Sequence, residues 1–251
     1  MSKQEITIVK VGTGVLTCDD GNLNEGSITA LSHQLALLTQ AGHKCILVSS
    51  GAVGAGVPLL GLQEYPSDIG TRQAAAAIGQ ARLMQRYQHA FTPHDISIAQ
   101  ILLSSYDLQE QTHRDRAKTV LLQLLQQPRI IPIVNENDVV SLRELTKTDN
   151  DMLAANLAVI LDAQTLILLT TVDGLLDESS TVIPRVDDIA AASAQFAQDS
   201  SGKFSIGGMK SKLDAVQRAS SAGTAVIIGN GTHPERLPGY LTHSSLGTYF
   251  S

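Results

Sequence analysis

Tryptophan is absent from the 251-residue sequence, and Phe, Tyr and Trp together make up only 4% of it. A large core is still available, because 43% of the residues are hydrophobic. It has to be aliphatic, built from Leu, Ile, Val and Ala. Cysteine is almost missing as well. Cys18 and Cys45 are too few for a disulfide framework, and Cys45, inside the run KCILV, reads as a small core residue. There is no basic excess: the formal net charge is -6, which argues against a nucleic-acid partner. An anionic small molecule is not excluded, since a few focused lysines can set the field of a cleft. No apolar run reaches membrane-spanning length, so no membrane partner is expected. The start, MSKQEITIVKVG, has neither the apolar stretch of a signal peptide nor the composition of a transit peptide. A reducing, cytoplasmic setting follows. The seven histidines show no metal-ligand spacing, and no metal held by side chains is expected.

What is present is an alternation of short apolar runs with helical stretches. Strands are expected at Ile6 to Lys10, Lys44 to Ser49, Ile96 to Leu103, Arg129 to Val134, Thr165 to Thr170 and Thr224 to Gly229. Their near-continuous apolar character suits parallel strands covered on both faces. Helices are expected at Ser27 to Ala41, with Ser27 as cap, and at Asp68 to Phe91, Arg114 to Gln127, Asp149 to Asp162 and Gly208 to Ala222, where Gly223 is the stop. The β-then-α order predicts a three-layer αβα sandwich with a mainly parallel sheet. With no internal repeat and no long linker, a single domain over residues 1–251 is expected. Leu142 to Thr148 and Leu175 to Pro184 are irregular, and either could be a hairpin folding over a site.

In open parallel sheets, ligands bind beyond the carboxyl ends of the strands. Small and polar residues collect at those ends here: Val11-Gly12-Thr13-Gly14, then Ser49-Ser50-Gly51-Ala52-Val53-Gly54-Ala55-Gly56, Asn135-Glu136-Asn137-Asp138, and Thr170-Thr171-Val172-Asp173-Gly174. Glycine after a strand lets backbone N–H groups approach phosphate oxygens, although a glycine turn taken singly usually just connects two elements. Neither a P-loop nor the dinucleotide fingerprint is present, which disfavours a Rossmann oxidoreductase. Lys10 ends an apolar strand directly before the first glycine turn. It could merely snorkel from the sheet edge, but a fixed cation beside a phosphate-cradling turn is what a phosphoryl donor requires. Gly207-Gly208-Met209-Lys210-Ser211-Lys212 adds two glycines and two lysines at a helix start. Clamps of this kind catalyse phosphoryl transfer with little covalent work by the protein. Asp149-Asn150-Asp151 opens a helix, and three such residues exceed what capping needs.

The ordered set of K-x-G-T-x-V-L, S-S-G-A-x-x-A-G, Q-A-A-A-A-I-G-Q, I-x-N-E-N-D, D-N-D and G-G-M-x-x-K resembles the glutamate 5-kinase branch of the amino acid kinase family, from about Ile6 to Gly247. The resemblance implies ATP-dependent phosphorylation of the side-chain carboxylate of L-glutamate to glutamyl 5-phosphate, the first step of proline synthesis. It implies that Lys10 and Lys212 stabilise the transferring phosphoryl group while Asp151 holds both lysines. Ser50, Asp138 and Asn150 would bind glutamate, Asp138 at the α-ammonium. Thr170, Thr171, Ile206, Gly207, Gly208, Met209, Lys210 and Ser211 would lie along ATP with the two lysines. Mg2+ would ride on the nucleotide phosphates. A homo-oligomer, dimer or tetramer, is expected. Many members carry a further C-terminal PUA domain, for which this chain ends too early.

The departures from the family pattern cluster. Thr171 stands where the family usually has Asp, Ile206 replaces a Thr before Gly-Gly-Met, and the loop after Gly174 is short and lacks an Asp-Pro-Arg segment. All fall on the nucleotide side. The competing readings are a non-catalytic, kinase-like regulator that binds an amino acid, and a kinase for another amino acid or for a phosphorylated metabolite.

Overall fold

The computed structural model describes residues 5–18, 21–140, 150–198, 208–242 and 246–250. In chain order the elements are β1 (Ile6–Val11), α1 (Thr13–Leu16), α2 (Glu25–Gln40), β2 (Lys44–Ser49), α3 (Ala52–Gly56), α4 (Ile69–Phe91), β3 (Ser97–Leu103), α5 (Ser105–Gln109), α6 (Gln111–Leu125) and β4 (Ile130–Glu136). They continue with α7 (Asn150–Leu161), β5 (Thr165–Thr170), β6 (Arg185–Val186), α8 (Ile189–Gln198), α9 (Met209–Ser220), β7 (Ala225–Asn230), α10 (Leu237–Leu241) and β8 (Thr248–Phe250). Among the described residues the strands form one eight-stranded sheet in the order β3-β4-β2-β1-β5-β7-β8-β6. Every neighbour pair is parallel except β7 with β8. The expected three-layer α/β architecture is present.

Strand alternation divides the core in two and decides where the site falls. Ile6 and Ile8 of β1, Ile46 and Val48 of β2, and Leu166 and Leu168 of β5 pack against Leu153 and Leu157 of α7 and Leu213 and Val216 of α9. The opposite faces, with Val9, Val11, Leu47, Ile167 and Leu169, pack on Leu31 and Leu35 of α2 and on Leu83 and Tyr87 of α4. Lys10 comes next after Ile6 and Ile8 on the α7 and α9 side. Its direction is therefore dictated by the pleat of a strand buried along its whole length.

Local chemistry moves several expected boundaries. Ser27 is not the cap of α2; its own N–H donates to Asn24 Oδ1 at 3.0 Å, so the helix starts earlier. Glu110 likewise accepts from the His113 N–H and starts α6 ahead of Arg114. Gly208 is the N-cap of α9, not its first residue. β3 begins at Ser97, and β4 runs on through Asn135 and Glu136, which pair with Leu102 and Leu103. The stretch after Gly174 makes a small hairpin, with Leu176 bridged to Val182. Thr248 of β8 pins it to the sheet by accepting from the Leu175 N–H at 2.8 Å and donating to the Ile183 carbonyl at 2.7 Å. The other irregular stretch, 142–148, lies outside the described residues. Among the described residues no helix is long and apolar enough to cross a membrane.

Candidate active site

Three charged side chains meet at the carboxyl end of β1. Lys10 Nζ lies 2.6 Å from Asp151 Oδ1, and Lys212 Nζ lies 3.0 Å from Asp151 Oδ2. Lys10 comes from β1, Asp151 from the first turn of α7 and Lys212 from the first turn of α9. All are nearly enclosed, with side-chain exposures of 7% for Lys10, 1% for Asp151 and 12% for Lys212. Burial alone would raise the Asp151 carboxyl, but the ammonium groups of Lys10 and Lys212 outweigh it and hold the group below the usual carboxylate range. Two cations thus share one anion. Stability alone does not explain this arrangement, because a lysine in the first turn of α9 faces the positive end of the helix dipole. The first glycine turn is adjacent: a Cβ placed on Gly12 would sit 3.6 Å from Lys10 Nζ.

A second group lies where β2 and β4 end. Asn150 Nδ2 donates to Ser50 Oγ at 2.9 Å and to Asn135 Oδ1 at 2.9 Å. The Glu136 N–H donates to Asn135 Oδ1 at 2.8 Å and to Asn150 Oδ1 at 3.2 Å. Asn135 Nδ2 in turn reaches Gln80 Oε1 at 2.9 Å. Asn135, Glu136 and Asn150 are buried. A cavity of about 270 Å³ opens beside them, lined by Ala52, Ala76, Gln80, Leu102, Glu136 and Asp138 among others. The structure thus joins Ser50 to Asn150 directly and puts Asp138 on the cavity wall. Gln80 is not among the site residues expected from sequence, although a glutamine inside an alanine-rich buried stripe is a readable signal.

Not all the glycines of the second loop are placed to cradle a phosphate. Only Gly51 sits in the turn, at a left-handed φ of 98°. Gly56 belongs to α3, where an added Cβ would meet the Ala75 carbonyl oxygen at 1.9 Å; one on Gly79 of α4 would meet the Ala52 carbonyl oxygen at 1.9 Å. These glycines let two helices touch backbone to backbone.

The third region lies beyond β5 and β7. Thr170 is half-buried and Thr171 is exposed, its methyl 3.2 Å from where a Cβ on Gly14 would be. The N-cap of α9 is Gly208, which has no side chain to cap with; Gly208, Met209 and Ser211 are half-buried and Lys210 is exposed. Ile206 and Gly207 lie outside the described residues. Asp173 Oδ1 accepts from Asn230 Nδ2 at 3.1 Å and Arg236 Nη1 at 2.6 Å. Asn230 and then Arg236 hold its carboxyl below the usual range. Among the described residues no cluster of His, Cys, Asp and Glu could hold a metal ion.

This geometry has relatives. The chain is 38% identical over 255 residues to glutamate 5-kinase 1 of Bacillus subtilis, covering 99% of this chain and 69% of that protein. It is 39% identical over 249 residues to the glutamate 5-kinase of Symbiobacterium thermophilum, covering 97% of this chain and 95% of that one. Carbamate kinase from Giardia superimposes with a TM-score of 0.68 at 16% identity over 99% of each chain. N-acetylglutamate synthase from Neisseria gonorrhoeae does so with a TM-score of 0.72 at 17% identity, over 99% of this chain and 60% of that one. At such identities the solved structures speak for the fold alone. The sequence model described as the amino acid kinase family matches residues 5–230. Fold, motif order and relatives agree, and the chain belongs to the amino acid kinase family.

Proposed function

We propose that this chain is a glutamate 5-kinase, a single amino acid kinase domain over residues 1–251 that moves the γ-phosphoryl group of ATP onto the side-chain carboxylate of L-glutamate. The observation that carries the reading is the buried Lys10–Asp151–Lys212 cluster beside the Ser50–Asn150 amide network. A carboxylate with an ordinary value of about 4.3 is already ionised at neutral pH, so the acceptor needs no general base. One of its oxygens attacks the γ-phosphorus in line. The bond from that phosphorus to the β–γ bridging oxygen breaks, and ADP leaves with the electron pair. Lys10 and Lys212 offset the negative charge that spreads over the transferring group. Asp151, held between two ammonium groups, fixes their separation rather than taking a proton.

Ser50 and Asn150 orient the amino acid, and Asp138 faces its α-ammonium. Thr170, Thr171 and the start of α9 from Gly207 to Lys212, with Ile206 before it, border the nucleotide, whose phosphates carry Mg2+. A cytoplasmic homo-oligomer completes the reading, and the free thiols of Cys18 and Cys45 fit a reducing compartment. The exposed Thr171 favours one alternative, a regulator that binds the amino acid without turnover. A coupled ADP-release assay with Mg-ATP decides between them. L-glutamate should stimulate release well above other amino acids. Stimulation by a different amino acid overturns the substrate, and glutamate binding without any release favours the regulator.

A further inference from the structure

The buried stripe of α4 that faces the sheet is interrupted by two polar side chains, Gln80 and Tyr87, two helical turns apart around Leu83 and Met84. Both reach the ends of the strands that carry the amino-acid site. On one side the amide orientations lock in series. Asn135 Oδ1 already accepts from Asn150 Nδ2 and from the Glu136 N–H, so Asn135 has to present Nδ2 to Gln80. Gln80 has to answer with Oε1, which leaves its own buried Nε2 without a partner. On the other side, Ser49 Oγ donates to the Ser50 carbonyl at 3.0 Å, so the Tyr87 hydroxyl donates to Ser49 Oγ at 2.8 Å. Tyr87 is fully buried, and burial pushes its phenol up, so it remains a donor. Both chains converge on Ser50, one at its hydroxyl through Asn150 and one at its carbonyl. Beside them, Gly79 lets α4 touch the Ala52 carbonyl directly.

A packing role alone does not account for Gln80. Leucine or methionine would fill the same stripe without an orphaned buried donor, which is costly wherever it occurs. We propose that α4 is the positioning element of the amino-acid site, with Gln80 and Tyr87 as the residues that hold Asn150 and Ser50 in register for the substrate. The proposal rests on the glutamate reading above.

The test uses the full chain. L-glutamate and a non-hydrolysable ATP analogue are titrated calorimetrically into the parent, Gln80→Met, Tyr87→Phe and the packing control Leu83→Met, and melting is recorded for each. Gln80→Met should weaken glutamate binding by about tenfold and Tyr87→Phe by about fivefold. The affinity for the ATP analogue should stay at the parental value. Leu83→Met should lower the melting temperature and leave glutamate affinity alone. Parental glutamate affinity in both polar variants overturns the proposal, as does an equal weakening of nucleotide binding, or loss of a cooperative melt in both. No glutamate binding by the parent overturns the glutamate reading and this proposal with it.

Discussion

Where β2 and β4 end, the polar side chains of the cleft partner one another: Ser50 with Asn150, Asn150 with Asn135, Asn135 with Gln80. Beyond β5 and β7, by contrast, Thr171 is exposed and the N-cap of α9 is Gly208, which has no side chain to cap with. Asp173, two residues further along the chain, is already taken by Asn230 and Arg236. The group where β2 and β4 end is held together before any ligand arrives, whereas in the proposed reading the nucleotide would be met by backbone N–H groups and two lysines. Preorganisation of the first kind favours selectivity for the acceptor. The second kind tolerates sequence change, and Thr171, one of the departures that the family resemblance implies, lies there. Between the two regions stands the Lys10–Asp151–Lys212 cluster, which the proposed mechanism shares between both substrates.

Breaking that shared cluster should have the largest effect. Lys10→Ala or Lys212→Ala should lower kcat by about 10²–10³, the scale for removing one preorganised group at a developing charge. Circular dichroism should show the fold almost unchanged. Near-parental kcat in both variants would reduce the buried cluster to a structural role and remove the mechanism.

Next in size is a pair that separates binding from chemistry. Asp138→Ala removes a charge-assisted contact and should raise KM for glutamate by about 10- to 100-fold with a smaller change in kcat. Asp151→Asn should chiefly lower kcat. The reverse pattern in steady-state kinetics would mean that the two acidic groups have exchanged roles.

The nucleotide half should respond to repair. A carboxylate at position 171 and a hydroxyl at position 206 would offer acceptors that the chain now lacks, so Thr171→Asp combined with Ile206→Thr should tighten ATP binding by about tenfold. Glutamate affinity should not move. Equal nucleotide affinity in parent and variant would show that the open half has compensated elsewhere.

Smallest is a pH effect. Because the Asp151 value is held below its ordinary one, its contribution to stability is complete above about pH 4 and is lost as the pH falls through the folded-state value. The difference in melting temperature between the parent and Asp151→Asn should therefore narrow on acidification below that range. A gap that stays constant would indicate that Asp151 is not ionised in the fold.

Much of this was legible because β1, β2, β4, β5 and β7 are buried on both faces and so read as continuous apolar runs. The register Ile6, Ile8, Lys10 even fixes the side on which the lysine emerges. β6 and β8 are not legible, because strands of two or three residues carry no periodicity. Neither is α3, because AVGAG is as suitable for a turn as for a helix wedged against another. The same ambiguity made its glycines look like a phosphate cradle: a missing Cβ serves a close-packed helix as well as an oxyanion. The three members of the charged cluster are far apart in sequence, and their meeting could be anticipated only from the family resemblance. Tyr87 gave no sequence signal at all, since a buried tyrosine in an amphipathic helix reads as core.

If Lys10 and Lys212 stabilise direct transfer of a phosphoryl group onto a carboxylate of the bound amino acid, trapping the product shows it most directly. With Mg-ATP, L-glutamate and hydroxylamine, an acyl phosphate is intercepted by the strong nucleophile. The account predicts γ-glutamyl hydroxamate in step with ADP from the parent, and about 10²–10³ less of both from Lys10→Ala. ADP release that ignores glutamate, or glutamate-dependent release that yields no hydroxamate, would contradict it.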